Sequence, residues 1–171
     1  AGNGQSATAG SAVATAPSVV VTDANGNPKQ GVSVTFAVDS GGGIVDPISS
    51  VSTDASGVAA VTSWTLGATA GANSLTATSA GLTGSPITFT ATGSVGPAAK
   101  VVFTTQPSSS TVAGVAFSTQ PVVTVQDVNG NTVTGSTASI ALTLTTGAGA
   151  LGGTATMNAV NGVANFSGKN L

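Results

Sequence analysis

Apolar and polar residues alternate with a period of two along much of the chain. In GVSVTFAV, Val32, Val34, Phe36 and Val38 fall on one face and Ser33, Thr35 and Ala37 on the other. SIALTLT sets Ile140, Leu142 and Leu144 against Ala141 and Thr143 in the same way. That period belongs to strands with one buried face. SVVVTD and PVVTVQD are more continuously apolar and also read as strands, and NSLTATS, PITFTATG and KVVFTTQ complete the set. Turn-forming clusters such as NGNPKQG, SGGG, DASG, TAGAN and SAGLTGSP separate them at short intervals. Many short strands with regular punctuation predict an antiparallel β-sandwich.

Composition sharpens this reading. Hydrophobic residues make up 40% of the 171 positions, enough for a packed core, while charged residues are 5%. The usual charged share is ~25%. Glu, Arg, His, Tyr and Cys are absent, so polarity comes from Ser, Thr, Asn and Gln. Gly, Thr, Ser and Val favour turns and pleated strands over helix. A formal charge of −2, with Lys29, Lys100 and Lys169 far apart in sequence, is too small to steer a nucleic acid or hold an anionic membrane. The N-terminal AGNGQSATAG lacks the basic start and apolar core of an export signal, so any such signal is expected to lie outside this sequence or to have been removed. No apolar run approaches the ~20 residues of a spanning helix.

The pattern also occurs twice. DANGN, from Asp23, returns as DVNGN from Asp127, 104 residues later. SATAGSAVATAPSVVVTDANGN, from Ser6, matches STVAGVAFSTQPVVTVQDVNGN, from Ser110, including Ala9-Gly10 with Ala113-Gly114 and Pro17 with Pro121. DASGVAAV matches NAVNGVANF with Gly57 and Gly162 now 105 apart, which places one inserted residue near Ser136–Ser139. Matching features in one order indicate duplicated modules. The copies are expected to be cut differently. The first lacks the opening strand that KVVFTTQ supplies to the second, and the second lacks the last two strands of the first. The expected division is a first domain over 1–94, a linker over 95–100 stiffened by Pro97, and a second domain over 101–171.

These residues resemble the bacterial immunoglobulin-like repeats of invasin- and intimin-type adhesins. VTDANGNPKQGVSVTFAV, SVSTDASGVAAVTSWTLG and NSLTATSAG carry the resemblance in the first copy. VVFTTQPSSSTVAGVAFSTQPVVTVQDVNGN looks like a related repeat of large bacterial surface proteins. The fold expected is all-β, two tandem immunoglobulin-like antiparallel sandwiches, both missing terminal strands. The resemblance implies an extracellular module of the bacterial cell surface that spaces a binding tip away from the cell. Its partners would be neighbouring immunoglobulin-like domains of the same or adjacent chains, and a host or surface receptor met through parts outside this chain. No active site, cofactor, nucleic acid or membrane insertion is implied.

Several residues are weighed as sites. Asp23, Asn25 and Asn27, and likewise Asp127, Asn129 and Asn131, sit at alternate positions as in a calcium loop. Such loops need further oxygen ligands, typically a late bidentate Glu, and there is no Glu here. The favoured reading is one hairpin turn used in two modules, with Asn-Gly supplying positive φ and Asp and Asn capping backbone groups. Asp39, Asp46 and Asp54 are expected to solvate loops rather than pair for acid–base work. A serine triad fails for want of a His base. Gly41-Gly42-Gly43 precedes no helix pattern and so suits no phosphate cradle. Trp64 is expected in the core, on a face with Val58, Ala60 and Leu66, while the other face carries Ala59, Val61 and Thr65 and the pattern leaves the register open. Lys100 with Asp23 or Asp127 is the one conceivable set for an isopeptide cross-link, and the sequon Asn165-Phe166-Ser167 falls in a predicted strand.

Two function classes follow. The leading one is a non-catalytic structural or adhesive stalk module. The alternative is a subunit of an extracellular filament whose incomplete domains are completed by strands from neighbours. A glycan- or receptor-binding module finds little support, because aromatics are 4% and Phe36, Phe89 and Phe166 take predicted core positions. An enzyme is the class least favoured.

Overall fold

The alternating stretches form strands, and the chain is all-β. The structure is a computed structural model and describes residues 1–146 and 149–171. Backbone contacts divide it into two compact units, Ala1–Val95 and Gly96–Leu171.

Unit 1 contains β1 (Gln5–Thr8), β2 (Ser18–Val20), β3 (Ser33–Ser40), β4 (Gly43–Asp46), β5 (Val51–Ser52), β6 (Val58–Ala60), β7 (Ser63–Leu66), β8 (Gly71–Thr78) and β9 (Ile87–Ser94). One sheet runs in the order β1-β9-β8-β3-β5, and the opposing layer consists of the ladders β2–β6 and β4–β7. Between the layers, Val34, Phe36, Leu75 and Phe89 of the sheet meet Val19, Val21, Trp64 and Leu66 of the ladders in one buried cluster. Phe36 and Phe89 pack with ring centroids 6.4 Å apart and planes tilted by 37°, a favourable aromatic arrangement. This is an immunoglobulin-like sandwich.

Two features depart from simple alternation. β1 pairs with β9 in parallel, Gln5 opposite Ala91 through Thr8 opposite Ser94. Residues 9–17 then carry the chain from that sheet to β2 in the other layer. Gln5 braces this crossing: its Nε2 donates to the carbonyls of Gly2 and Thr15, and the Thr15 N–H donates to its Oε1, each at 2.8 Å. Second, the phase changes between β6 and β7. Ala59 and Val61 are buried, and so are Trp64 and Leu66, one position out of step. Val58 and Ala60 therefore do not share the face of Trp64. The break falls at Thr62, whose N–H donates to the Asp46 carbonyl as the chain leaves β2 for the β4 ladder.

Unit 2 contains β10 (Lys100–Thr105), β11 (Val122–Gln126), β12 (Ser139–Ala141), β13 (Thr156–Asn158) and β14 (Val163–Asn165). β10-β11-β14 form one antiparallel sheet and β12–β13 a ladder. Val123, Val125, Ile140, Ala164, Phe166 and Leu171 form its core. The expected strand through Leu144 stops at Ala141 instead, leaving Leu142 half-buried and Leu144 exposed. β13, three residues long, pairs only as far as Ala141.

The pairing of β2 with β6 returns in unit 2 in the same register. Val19 lies opposite Ala59, and Val123, 104 residues on, lies opposite Ala164, 105 residues on. The Val61 N–H donates to the Pro17 carbonyl at 3.1 Å, and the Phe166 N–H donates to the Pro121 carbonyl at 3.1 Å. Gly57 and Gly162 close the two ladders. Each accepts an amide from the facing strand, from Val21 and from Val125, both at 2.8 Å. The turns that carry them differ. Asp54 builds the first, its Oδ1 accepting the Ser56 and Val58 N–H groups at 2.8 and 2.9 Å. The second is a two-residue hairpin at Asn161-Gly162, with φ of 50° and 77° and reciprocal bonds between Val160 and Val163. Positive φ at both residues is the type I′ geometry that Asn-Gly favours.

Candidate functional site

The two D-x-N-G-N stretches form one kind of turn. In the first, Asp23 Oδ1 accepts the N–H groups of Asn25 and Asn27 at 2.9 Å, and Oδ2 accepts Asn27 Nδ2 at 3.1 Å. The Asp23 N–H donates back to the Asn27 carbonyl at 2.8 Å. In the second, Asp127 Oδ1 accepts the Asn131 N–H at 2.8 Å, and Oδ2 accepts Asn131 Nδ2 at 2.9 Å. The Asp127 N–H donates to the Asn131 carbonyl at 2.9 Å. Both carboxylates thus spend their oxygens on amide donors.

The two differ in their surroundings. Asp127 is fully buried, and its Oδ2 also accepts the Gly96 N–H at 3.0 Å. Burial pushes this carboxyl up. The Asn131 side chain, the Gly96 N–H and the turn amides of Asn131 and Asn129 more than offset that and hold it at about 2. Asp23 is partly exposed. The Asn27 N–H and side chain lower it first, against some burial, with smaller help from Asn25 and the charge of Lys29. A carboxylate that accepts several N–H bonds is stabilised in its charged form.

The remaining candidates are dispersed. Asp39 accepts the Ser74 hydroxyl at 2.7 Å, Asp46 lies at the end of β4, and Asp54 holds its own turn. Among the described residues no three acidic side chains gather as a metal site would require. Gly41-Gly42-Gly43 joins β3 to β4. Lys100 Nζ donates to the Val128 carbonyl at 3.3 Å. Asn165 ends β14, and its Oδ1 accepts the Ser167 N–H at 2.9 Å. Trp64 is fully buried, and its Nε1–H has no hydrogen-bond partner.

The feature with room for a partner is an edge of unit 1. In the β2–β6 ladder Val19 lies opposite Ala59, and the Val21 N–H donates on the same side to the Gly57 carbonyl, so by antiparallel alternation Val20 points its N–H and C=O outward. In unit 2 the equivalent residue, Thr124, is paired across its outer edge with Val102 of β10. At Ser18 the outer edge is filled by Ala1, whose amino group donates to the Ser18 carbonyl at 2.8 Å while the Ser18 N–H donates back at 3.1 Å. Beyond Ser18 the edge borders an open groove of about 530 Å³. Val19, Val21, Val34 and Ala77 are among the residues lining it, with Leu82 of the β8–β9 connection and Ile87 at the start of β9. Val20 is 61% exposed, Ile87 45% and Leu82 38%.

Sequence reasoning did not find this groove, because β2 and the 79–86 connection are some 60 residues apart in sequence. It also passed over two buried polar braces. Asn73 accepts the Gly67 N–H at 3.0 Å and donates to the Gly71 carbonyl at 3.1 Å. Thr53 Oγ1 accepts the Val32 N–H at 3.0 Å and donates to the Lys29 carbonyl at 2.6 Å. Asn73 had a signal: it stands in phase with buried Leu75 and Ala77 on β8.

The fold and site define a class, an all-β chain of two immunoglobulin-like units without a gathered constellation of acidic groups among the described residues. No protein-family model matches the chain, and no curated protein matches it. Among solved structures, the crystal structure of invasin, a bacterial integrin-binding protein, is similar with a TM-score of 0.44 and 19% identity. The match covers 96% of this chain and 31% of that one, so the chain spans about a third of that protein's length.

Proposed function

We propose that this chain is a non-catalytic, load-bearing module of an extracellular bacterial surface protein, a pair of immunoglobulin-like domains in a stalk that holds a binding element away from the cell. The observation that carries this reading is the recurrence of one ladder in both units, β2–β6 and β11–β14, in the same register and closed by Gly57 and Gly162. Two separately cored units built on one plan suit a repeating spacer. The domain division proposed is 1–94, a joint over 95–100 and 101–171. The neutral Ser/Thr-rich surface gives little long-range charge interaction, so contacts of the stalk should depend weakly on salt. The test is surface protease shaving and antibody labelling of intact cells, followed by the intact mass of the native polypeptide. Surface exposure with a mass well above 15.9 kDa is expected. Confinement to the cytoplasm would contradict the reading.

The open edge at Val20 favours a second reading, in which the chain is a filament subunit and a neighbour's strand completes unit 1. An unpaired edge above an apolar groove is the geometry that strand addition uses. A native mass near 15.9 kDa together with polymers would favour it.

A further inference from the structure

We propose that each D-x-N-G-N turn holds a self-modification site, Asn25-Gly26 in unit 1 and Asn129-Gly130 in unit 2, guarded by the Asp that opens the turn. The step is succinimide formation. The Gly nitrogen gives up its proton to water and bonds to the carbonyl carbon of the Asn side chain, Cγ, which releases its amide nitrogen as ammonia. Water then opens the ring. Cleavage at the side-chain carbonyl leaves Asp, and cleavage at the main-chain carbonyl leaves isoaspartate. A following Gly suits this attack because it has no side chain to obstruct its nitrogen.

The chain has four Asn-Gly pairs, at Asn3, Asn25, Asn129 and Asn161. In each the Gly N–H is tied to a carbonyl and must be freed before it can react. What ties it differs. Gly4 donates to the Thr90 carbonyl at 2.9 Å, and Asn3 Oδ1 accepts the Thr90 N–H at 2.8 Å, so both reacting groups are pinned to β9. Gly162 is buried and donates to the Ser136 carbonyl at 3.1 Å. Freeing either of these means parting segments far apart in sequence. Gly26 donates to the Asp23 carbonyl at 3.0 Å and Gly130 to the Asp127 carbonyl at 3.2 Å, each within its own turn. Asn25 and Asn129 are both exposed. Local opening of the turn frees either nitrogen without parting a ladder. The Asp carboxylate opposes that opening. Its bonds to the N–H and side chain of Asn27, or of Asn131, clamp the turn across the pair. Its negative charge also disfavours loss of the Gly proton. Isoaspartate lengthens the main chain of the turn, and either product adds a further carboxylate to it. The turn then loses the spacing of its original bonds, and the change accumulates with the age of the chain.

The test uses the full chain, held at mildly alkaline pH and sampled over time. Peptide mapping by mass spectrometry follows the exchange of ammonia for water at each Asn-Gly pair, and enzymatic methylation of isoaspartate identifies the product. In urea, with the turns open, all four pairs should convert at similar rates. In the folded chain Asn25 and Asn129 should convert more slowly than in urea but ahead of Asn3 and Asn161. Asp23→Ala should speed conversion at Asn25 by about fivefold or more, with Asn129 of the same molecules unchanged and Trp64 emission as in the parent. Conversion led by Asn3 or Asn161, or silence at either turn while the urea sample converts, overturns the sites. Folded-chain rates at the turns equal to those in urea overturn the guard. So does an Asp23→Ala chain that keeps Trp64 buried and converts no faster. If Asp23→Ala disturbs Trp64, Asp23→Asn, which removes the charge and keeps an acceptor oxygen, is judged in its place by the same criterion.

Discussion

Gly57 sits so close to Val21 that a Cβ on it would meet the Val21 carbonyl oxygen at 2.5 Å. A Cβ on Gly162 would meet a different neighbour, the carbonyl oxygen of Val133 beyond the Asp127 turn, also at 2.5 Å. Both have positive φ, 73° and 77°. The ladder is thus closed in each unit by a residue that tolerates no side chain. Gly57→Ala is expected to destabilise unit 1, and Gly162→Ala unit 2, by about 2–4 kcal/mol from the left-handed backbone and the forced shift of the neighbouring strand. Urea titration of each variant checks this. An unchanged midpoint would mean that the close approach is not real.

Trp64 gives unit 1 its own optical signal. It is the sole Trp and is fully buried between the layers of that unit. Its emission should shift to the red only as unit 1 unfolds, while circular dichroism follows both units. Trp64→Ala should cost unit 1 about 3–5 kcal/mol and leave the unit 2 transition in place. Loss of both transitions together would show that the two cores are not separate.

Asn73 is expected to matter more than its neighbour Ser74. Asn73→Ala orphans the buried Gly67 N–H, a cost of about 1–3 kcal/mol, and also removes the bond to the Gly71 carbonyl. Ser74 is on the outer face with its hydroxyl on Asp39, so Ser74→Ala should change stability by less than about 0.5 kcal/mol. Paired urea midpoints decide between them.

Acid should loosen unit 2 over a defined range. The Asp127 carboxyl is held at about 2 in the folded chain against its ordinary 3.8. A depressed folded value contributes stability that is present above the unfolded value and lost as pH falls through the folded one. Stability of unit 2 is therefore expected to fall between about pH 4 and pH 2. Asp127→Asn should lower stability at neutral pH, because one amide donor then faces others, and should flatten that acid slope. Amide exchange within unit 2 across this range reads both effects. A slope unaltered in the variant would contradict the burial and bonding of Asp127.

The strands were legible because one-sided burial leaves a period of two, as in Val34 and Phe36, and because Asn-Gly and Asp-x-x-Gly mark their ends. The twin turns at Asp23 and Asp127 were legible for the same local reason. Relations between distant segments were not. The parallel pairing of β1 with β9 joins Gln5 to Ala91, and nothing in the spacing of either strand announces it. The burial of Asp127 depends in part on Gly96, 31 residues away, reaching its Oδ2. Period-two reasoning also fails where a strand changes partner, as between Val61 and Trp64, because the phase resets with the new ladder. The groove beside β2 was hidden for the first reason: it exists only once two distant segments have folded past each other.

The account turns on two separately folded units that bear load. The most direct measurement is to stretch single chains between their ends. Unit 1 and unit 2, at 95 and 76 residues, should give two discrete unfolding events that lengthen the chain by about 300 Å and about 250 Å. One merged event, or smooth extension without a force peak, would contradict the claim.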